Sequence, residues 1–137
     1  MGRTPVAADG IQDQNYLRGV EGSDANGQLS FMTIVPGCYE GRYPHIHFEV
    51  FPTLPSATGA ANSVLVSQMA LPRDVCTAVY STGTNYGNSA SSLARVSLAS
   101  DGIFADNTAA QVAAQTLSMS GSVSAGYVGA ITIGIAA

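Results

Sequence analysis

The chain has 137 residues, of which 46% are hydrophobic and only 10% charged, and its formal net charge is −4. This length suffices for one domain with a hydrophobic core, and the composition is too apolar for a disordered chain. The negative charge argues against binding to nucleic-acid phosphates, and no apolar run is long enough to span a membrane. We therefore expect neither a nucleic acid nor a membrane as a partner. Met1 is followed directly by GRTPVAADG, so we expect no signal peptide on this chain.

Strand signals dominate the chain. In chain order they occupy residues 28–35, 45–51, 63–71, 94–100 and 120–135. The first strand, QLSFMTIV, follows DANG, which is a good hairpin turn because Asn-Gly tolerates positive φ. Short strands between Gly-rich turns predict an all-β sandwich or barrel, formed by residues 1–137 as a single domain.

The connections between the strands carry their own signals. The segment PRDVCTAVY, residues 72–80, predicts one short helix with Pro72 near its start. Residues 52–63 have the composition of a loop, and DGIFAD, residues 101–106, has that of an Asx-type loop.

The only two histidines, His45 and His47, lie one residue apart in the predicted strand 45–51. Residues i and i+2 of a strand point to the same face, so both imidazoles project together. Ile46, Phe48 and Val50 then face the core. Two imidazoles on one face suit a first-row metal ion, although two unrelated polar residues on a half-solvated strand would give the same pattern.

Three side chains near the histidines favour a metal site. Tyr39 follows a Pro-Gly turn that can aim it back at the strand, Arg42 precedes His45 by three residues, and Gln68 lies in the next predicted strand. Glu49 shares the strand face of the histidines, so a site of two histidines and one carboxylate is an alternative.

The sequence TIVPGCYEGRYPHIHFEVF, followed by LVSQMALP, resembles the intradiol ring-cleavage dioxygenases, the family of the catechol and protocatechuate dioxygenases. DQNYLRGVEGSDANGQLSF is similar to the family segment before this motif, and PGCYEGRYPHIHFEV and DVCTAVY resemble the short secreted branch. The resemblance implies a β-sandwich of the intradiol type, truncated at its N-terminus, with one short helix. It also implies a non-haem Fe(III) cofactor and a catechol-like substrate, which O₂ cleaves between its hydroxyls to a muconate-type diacid.

The resemblance also implies roles for individual residues. His45 and His47 match the histidine ligands of the iron. Tyr39 matches the tyrosinate that leaves when substrate arrives and then acts as a base. Arg42 matches the arginine that stabilises negative charge developing on the substrate ring, and Gln68 matches the glutamine near it.

One family ligand is missing from the match. The other ligand tyrosine aligns with Thr4, which cannot serve as a phenolate ligand; Tyr16 could replace it but matches a position that is not a ligand. We therefore expect the isolated chain, loaded with Fe(III), to be pale and slow toward catechol. A non-catalytic β-sandwich that has lost the complete iron site is the alternative function.

The secreted branch also implies an extracellular location and an oxidised pair of cysteines. We therefore expect a disulfide between Cys38 and Cys76, with two buried free thiols as the alternative. A truncated sandwich exposes sheet edges, which favour self-association, so a homo-oligomer is a further expectation.

Overall fold

The structure is a computed structural model that describes residues 17–82 and 85–136. The chain divides into two compact units, Met1–Ile34 and Val35–Ala137, which are described separately. None of the helices in the described ranges is both long enough and apolar enough to cross a membrane.

The described part of the first unit contains the predicted DANG turn. The N–H of Gly27 donates to the carbonyl of Asp24 at 3.0 Å, and the Asp24 carboxylate accepts from the N–H groups of Asn26 and Gln28 at 2.9 Å. Gly27 has a φ of 75°, a left-handed conformation that glycine adopts without a steric penalty. The strand predicted at 28–35 is wrong, because these residues form no regular element.

The second unit contains the described helices and strands. In chain order they are β1 (His45–Val50), β2 (Leu65–Ala70), α1 (Arg73–Thr82), α2 (Ser89–Ala94), α3 (Ala109–Ala114), β3 (Ser118–Ser122) and β4 (Gly126–Ala130). Single turns of 3₁₀-helix occur at Leu54–Ser56, Ala60–Asn62 and Phe104–Asp106.

The predicted all-β sandwich is wrong. The described residues form two separate antiparallel sheets of two strands each, β1 with β2 and β3 with β4, together with three α-helices. Two-stranded sheets are too small to form the core of a sandwich, so helices and loops supply much of the core.

The predicted strands at 45–51 and 63–71 and the helix at 72–80 are confirmed, with slightly different bounds. β1 and β2 pair from His45 opposite Ala70 to Val50 opposite Leu65. The buried residues of α1 are Val75, Cys76, Val79 and Tyr80. Their spacing of one helical turn forms a single apolar stripe that faces the core.

Two further strand predictions fail, wholly or in part. Residues 94–100 begin at the end of α2 and continue into a turn, in which the hydroxyls of Ser97 and Ser100 accept from each other's backbone N–H groups at 3.2 and 2.9 Å. Serine side chains that bond to nearby backbone compete with a strand ladder in this way. Of residues 120–135, the hairpin of β3 and β4 is present, but residues 131–135 lie outside any regular element.

The disulfide expected between Cys38 and Cys76 is wrong, because both residues are buried free thiols. The Cys38 thiol donates to the carbonyl of Arg42 at 3.4 Å, which fastens the turn that carries Tyr39. Burial raises the pKa of Cys76 to about 11. Cys76 is therefore a neutral core residue at ordinary pH.

We predict that alkaline pH destabilises the fold through Cys76 and Tyr43. Burial raises the pKa of Cys76 from 9.0 to about 11. Burial and the nearby charge of a Cys76 thiolate together raise the pKa of Tyr43 from 10.0 to about 12. Both groups lose their protons more easily when unfolded, so this stabilisation is complete below pH about 9 and disappears as the pH rises through 11 and 12. Thermal unfolding scans from pH 7 to about pH 11 should show a falling midpoint.

Cys76→Ala is the matched variant for this prediction. It removes the contribution that begins near the thiol pKa of 9.0, so its midpoint should start to fall at higher pH and less steeply than that of the wild type. An unchanged pH profile in this variant would contradict the role of Cys76.

Candidate metal centre

The histidine pair lies on one face of the β1–β2 ladder. His45 is opposite Ala70 and His47 is opposite Gln68 in the antiparallel register. Directly opposed residues project from the same face of a sheet, so Gln68 stands beside His47. The ladder therefore brings together three of the residues that the sequence analysis selected.

The ring orientation of His45 leaves one nitrogen available. Its Nδ1 lies 2.6 Å from the carbonyl oxygen of Tyr43. A carbonyl only accepts, so Nδ1 carries the proton and Nε2 keeps its lone pair. Burial lowers the pKa of His45, the hydrogen bond to Tyr43 acts in the opposite direction, and the charge of Arg42 lowers it further. His45 is thus neutral at pH 7, the form in which imidazole binds a metal.

His47 is more accessible than His45. Its side chain is 35% exposed, and its Nε2 lies 3.4 Å from a carboxylate oxygen of Glu49, at the outer limit of a hydrogen bond. Among residues 17–82 and 85–136, however, no three His, Cys, Asp or Glu side chains are grouped closely enough to hold a metal ion. The alternative of two histidines and one carboxylate therefore has no support from the geometry.

Tyr39 approaches the site from a tight turn. Its ring lies 6.3 Å from that of His45, edge to face, and its side chain is half exposed. The N–H of Arg42 donates to the Tyr39 carbonyl at 3.4 Å, and Gly41 has a φ of 87°, which glycine adopts readily. This turn directs Tyr39 and Arg42 toward the region of β1 that carries the histidines.

The Arg42 side chain is held from two sides. Its Nε donates to Oδ2 of Asp101 at 2.8 Å, and its Nη2 donates to Oε1 of Gln68 at 2.6 Å. Only 17% of its side chain is exposed. Gln68 also stands opposite His47, so the guanidinium lies next to the histidine-bearing face.

Asp101 is the site-associated residue that sequence reasoning missed. It is fully buried, and Oδ1 accepts from the N–H groups of Ile103 and Phe104 at 2.8 and 2.9 Å. Oδ2 accepts from Arg42 and from the N–H of Tyr43 at 2.7 Å. The Asx-type loop was predictable from DGIFAD. The partners of Asp101 outside the loop, Tyr43 and Arg42, lie 58 and 59 residues earlier in the chain, and no local pattern indicates them.

Two of the sequence candidates cannot be placed relative to the histidine face. Thr4 and Tyr16 lie outside the described residues. An open groove of about 570 Å³ borders Tyr39, Tyr86 and Arg95, but neither histidine lines it. The groove is therefore not part of the histidine face.

Comparison of the chain with protein-family models, with curated proteins and with solved structures gives no match.

Proposed function

We propose that the chain provides the ferric site of an oxygenase that cleaves catechol-type aromatics between their hydroxyls. The observation that carries the proposal is the meeting of two kinds of group at one sheet face. His45, His47 and Tyr39 are candidate ligands, and Arg42 with Gln68 forms a cationic, hydrogen-bonding border beside them. The proposal concerns this site and its chemistry and does not include the sandwich fold.

The donor set fits Fe(III). A hard ion prefers anionic oxygen together with imidazole, and Tyr39 can supply phenolate oxygen beside His45. The Nδ1 bond of His45 to the Tyr43 carbonyl is the outer-shell contact that orients metal-binding imidazoles in general. When bound, Fe(III) supplies the Lewis acidity and redox chemistry that make a chelated catecholate reactive toward O₂.

The side chains of the chain do the remaining work. The half-exposed Tyr39 can swing away from the histidines, and its phenolate then takes a proton from an incoming catechol hydroxyl. Arg42 offers fixed positive charge and N–H donors to the oxygens of the substrate anion. Gln68 holds the Arg42 fork beside His47, where a substrate bound at the histidines lies within its reach.

We predict that Fe(III) binding depends on both histidines. His45→Gln and His47→Gln should each weaken Fe(III) binding by about a hundredfold or more, since even loss of an outer-shell partner costs 10- to 100-fold. Equilibrium dialysis against Fe(III) citrate, with iron measured in both compartments, gives the affinity. Glu40→Gln is the matched control, because Glu40 is an exposed carboxylate next to Tyr39 in the chain and is not a proposed ligand. Equal losses in all three variants would contradict the proposal.

The visible absorption and the oxygen uptake of the Fe(III)-loaded chain test the proposed role of Tyr39. Any tyrosinate-to-iron absorption band should be lost in Tyr39→Phe and kept in Tyr127→Phe. Oxygen uptake with catechol should be slow in the wild type and abolished in Tyr39→Phe. Iron binding without any oxygen uptake would favour the alternative of a non-catalytic, metal-binding module.

A further inference from the structure

Asp101 accepts four hydrogen bonds, and only two of them come from its own loop. One carboxylate oxygen closes its own loop through Ile103 and Phe104, and the other reaches across to Arg42 and Tyr43. Burial alone would raise the pKa of Asp101, but the N–H of Phe104, the Arg42 guanidinium and the N–H of Tyr43 outweigh it, so the pKa is lowered. Asp101 is therefore a buried, permanent anion at neutral pH.

The contact with Nε fixes the orientation of Arg42. The guanidinium is planar, so an anchor on Nε and a second anchor on Nη2 together define its plane and the direction of its other N–H groups. Asp101 accepts from Nε, and Gln68 accepts from one Nη2 hydrogen. Among the described residues, no other side chain or carbonyl accepts a hydrogen bond from the Arg42 guanidinium. The remaining donors are available to an anionic oxygen at the histidine face.

The Asp101 loop also touches the candidate ligand directly. Phe104, which donates its N–H to Asp101, packs its ring edge-to-face against His45 with 6.5 Å between ring centroids. Tyr43, whose backbone N–H donates to Asp101 Oδ2, provides the carbonyl that orients His45. One carboxylate is thus connected to both the ligand and the arginine.

We infer that Asp101 is the positioning residue of the site: it orients the Arg42 fork toward a catecholate bound at His45 and His47. This inference rests on the proposed function and adds a residue to it. Asp101 is the counter-ion of Arg42, so the long-range attraction of Arg42 is reduced while its positive charge and N–H donors act at short range. Asp101 itself does not touch the substrate.

The test measures binding of 4-nitrocatechol, a chromophoric catechol, to the full chain loaded with Ga(III), a diamagnetic ion with the charge of Fe(III). Asp101→Asn should weaken nitrocatechol binding about tenfold, as expected for one misdirected charge-assisted hydrogen bond. Asp106→Asn removes an exposed carboxylate from the same loop and should leave binding unchanged. Arg42→Gln should weaken binding at least as much as Asp101→Asn does.

The double variant separates positioning from a general structural effect. In the Arg42→Gln background, Asp101→Asn should cause no further loss, because there is no fork left to orient. Equal, additive losses in the two backgrounds would overturn the inference, as would wild-type binding by Asp101→Asn. Circular dichroism establishes that each variant is folded.

Nitrogen-labelled wild-type protein provides a measurement that needs no variant. The Arg42 Nε–H signal should be protected from exchange before nitrocatechol is added and stay so afterwards, while the Nη–H signals shift on addition. If nitrocatechol binds without changing the Nη–H signals, the inference alone is overturned. If the chain binds neither Ga(III) nor nitrocatechol, the proposed function fails first and the inference fails with it.

Discussion

Asp101→Ala is expected to destabilise the protein by about 3–5 kcal/mol, the cost of leaving a buried charge without its partner. The substitution removes the acceptor of four donors at once: the Arg42 guanidinium and the N–H groups of Tyr43, Ile103 and Phe104. Because domains of this size are stable by only about 5–15 kcal/mol, this one change removes much of the margin. Urea unfolding followed by circular dichroism measures it, since the chain has no tryptophan.

The loss should also depend on pH. The pKa of Asp101 is lowered in the fold, so its contribution is present above its ordinary value of 3.8 and is lost as the pH falls through the folded value. Wild type and variant should therefore converge in stability in acid. Asp106→Ala, at an exposed position of the same loop, should change stability by less than about 0.5 kcal/mol. A similar loss in both variants would show that the buried hydrogen bonds are not the cause.

Phe104→Ala is the second substitution with a large expected effect, about 3–5 kcal/mol. Phe104 is 1% exposed and is one of the largest fully buried side chains, and its ring packs against those of Tyr43 and His45. Removal of the ring leaves a cavity between the Asp101 loop and β1. The free energy of unfolding should fall, and Fe(III) binding should weaken because His45 loses its packing support.

The neighbouring Ile103 is the control for Phe104. Its side chain is 48% exposed, so Ile103→Ala should cost under about 0.5 kcal/mol and leave Fe(III) binding unchanged. If Phe104→Ala lowers stability but leaves iron affinity at the wild-type level, the ring supports the core and not the histidine.

The elements predicted correctly from the sequence are those whose own residues and flanking turns indicate them. β1 alternates Ile46, Phe48 and Val50 with polar residues, β2 follows the predicted loop 52–63, and α1 begins directly after Pro72. α3 was missed although its signal is present. Thr108 and Gln111 form a capping box, in which the Thr108 hydroxyl accepts from the Gln111 N–H at 3.2 Å and the Gln111 amide accepts from the Thr108 N–H at 2.8 Å.

Two of the wrong strand predictions share one cause, which is that alternation alone does not supply a partner strand. Residues 28–34 alternate as a strand would, yet they are exposed and unpaired among the described residues. Residues 131–135 alternate equally well and extend beyond the end of the β3–β4 ladder. A strand exists only when a neighbour accepts its backbone hydrogen bonds, and that information is not local.

The candidate site divides in the same way. Strand periodicity correctly placed His45 and His47 on one face, and the position of Gln68 in the next strand put it beside them. The partnership of Arg42 with Asp101 depends on a contact over 59 residues, which no spacing rule predicts. The roles as iron ligands and substrate contacts remain predictions that the binding and oxygen-uptake experiments decide.

The long separation of Arg42 and Asp101 has a consequence for the nascent chain. At a synthesis rate of about 5–20 residues per second, Asp101 is added roughly 3–12 s after Arg42. A hairpin forms in about 1–10 μs, so β1 and β2 can pair as soon as both have left the ribosome. The histidine face is then assembled while Arg42 still lacks Asp101, the second of its two anchors. A product terminated before residue 101 would carry both histidines and Gln68, but its Arg42 would have no Asp101 carboxylate to orient it.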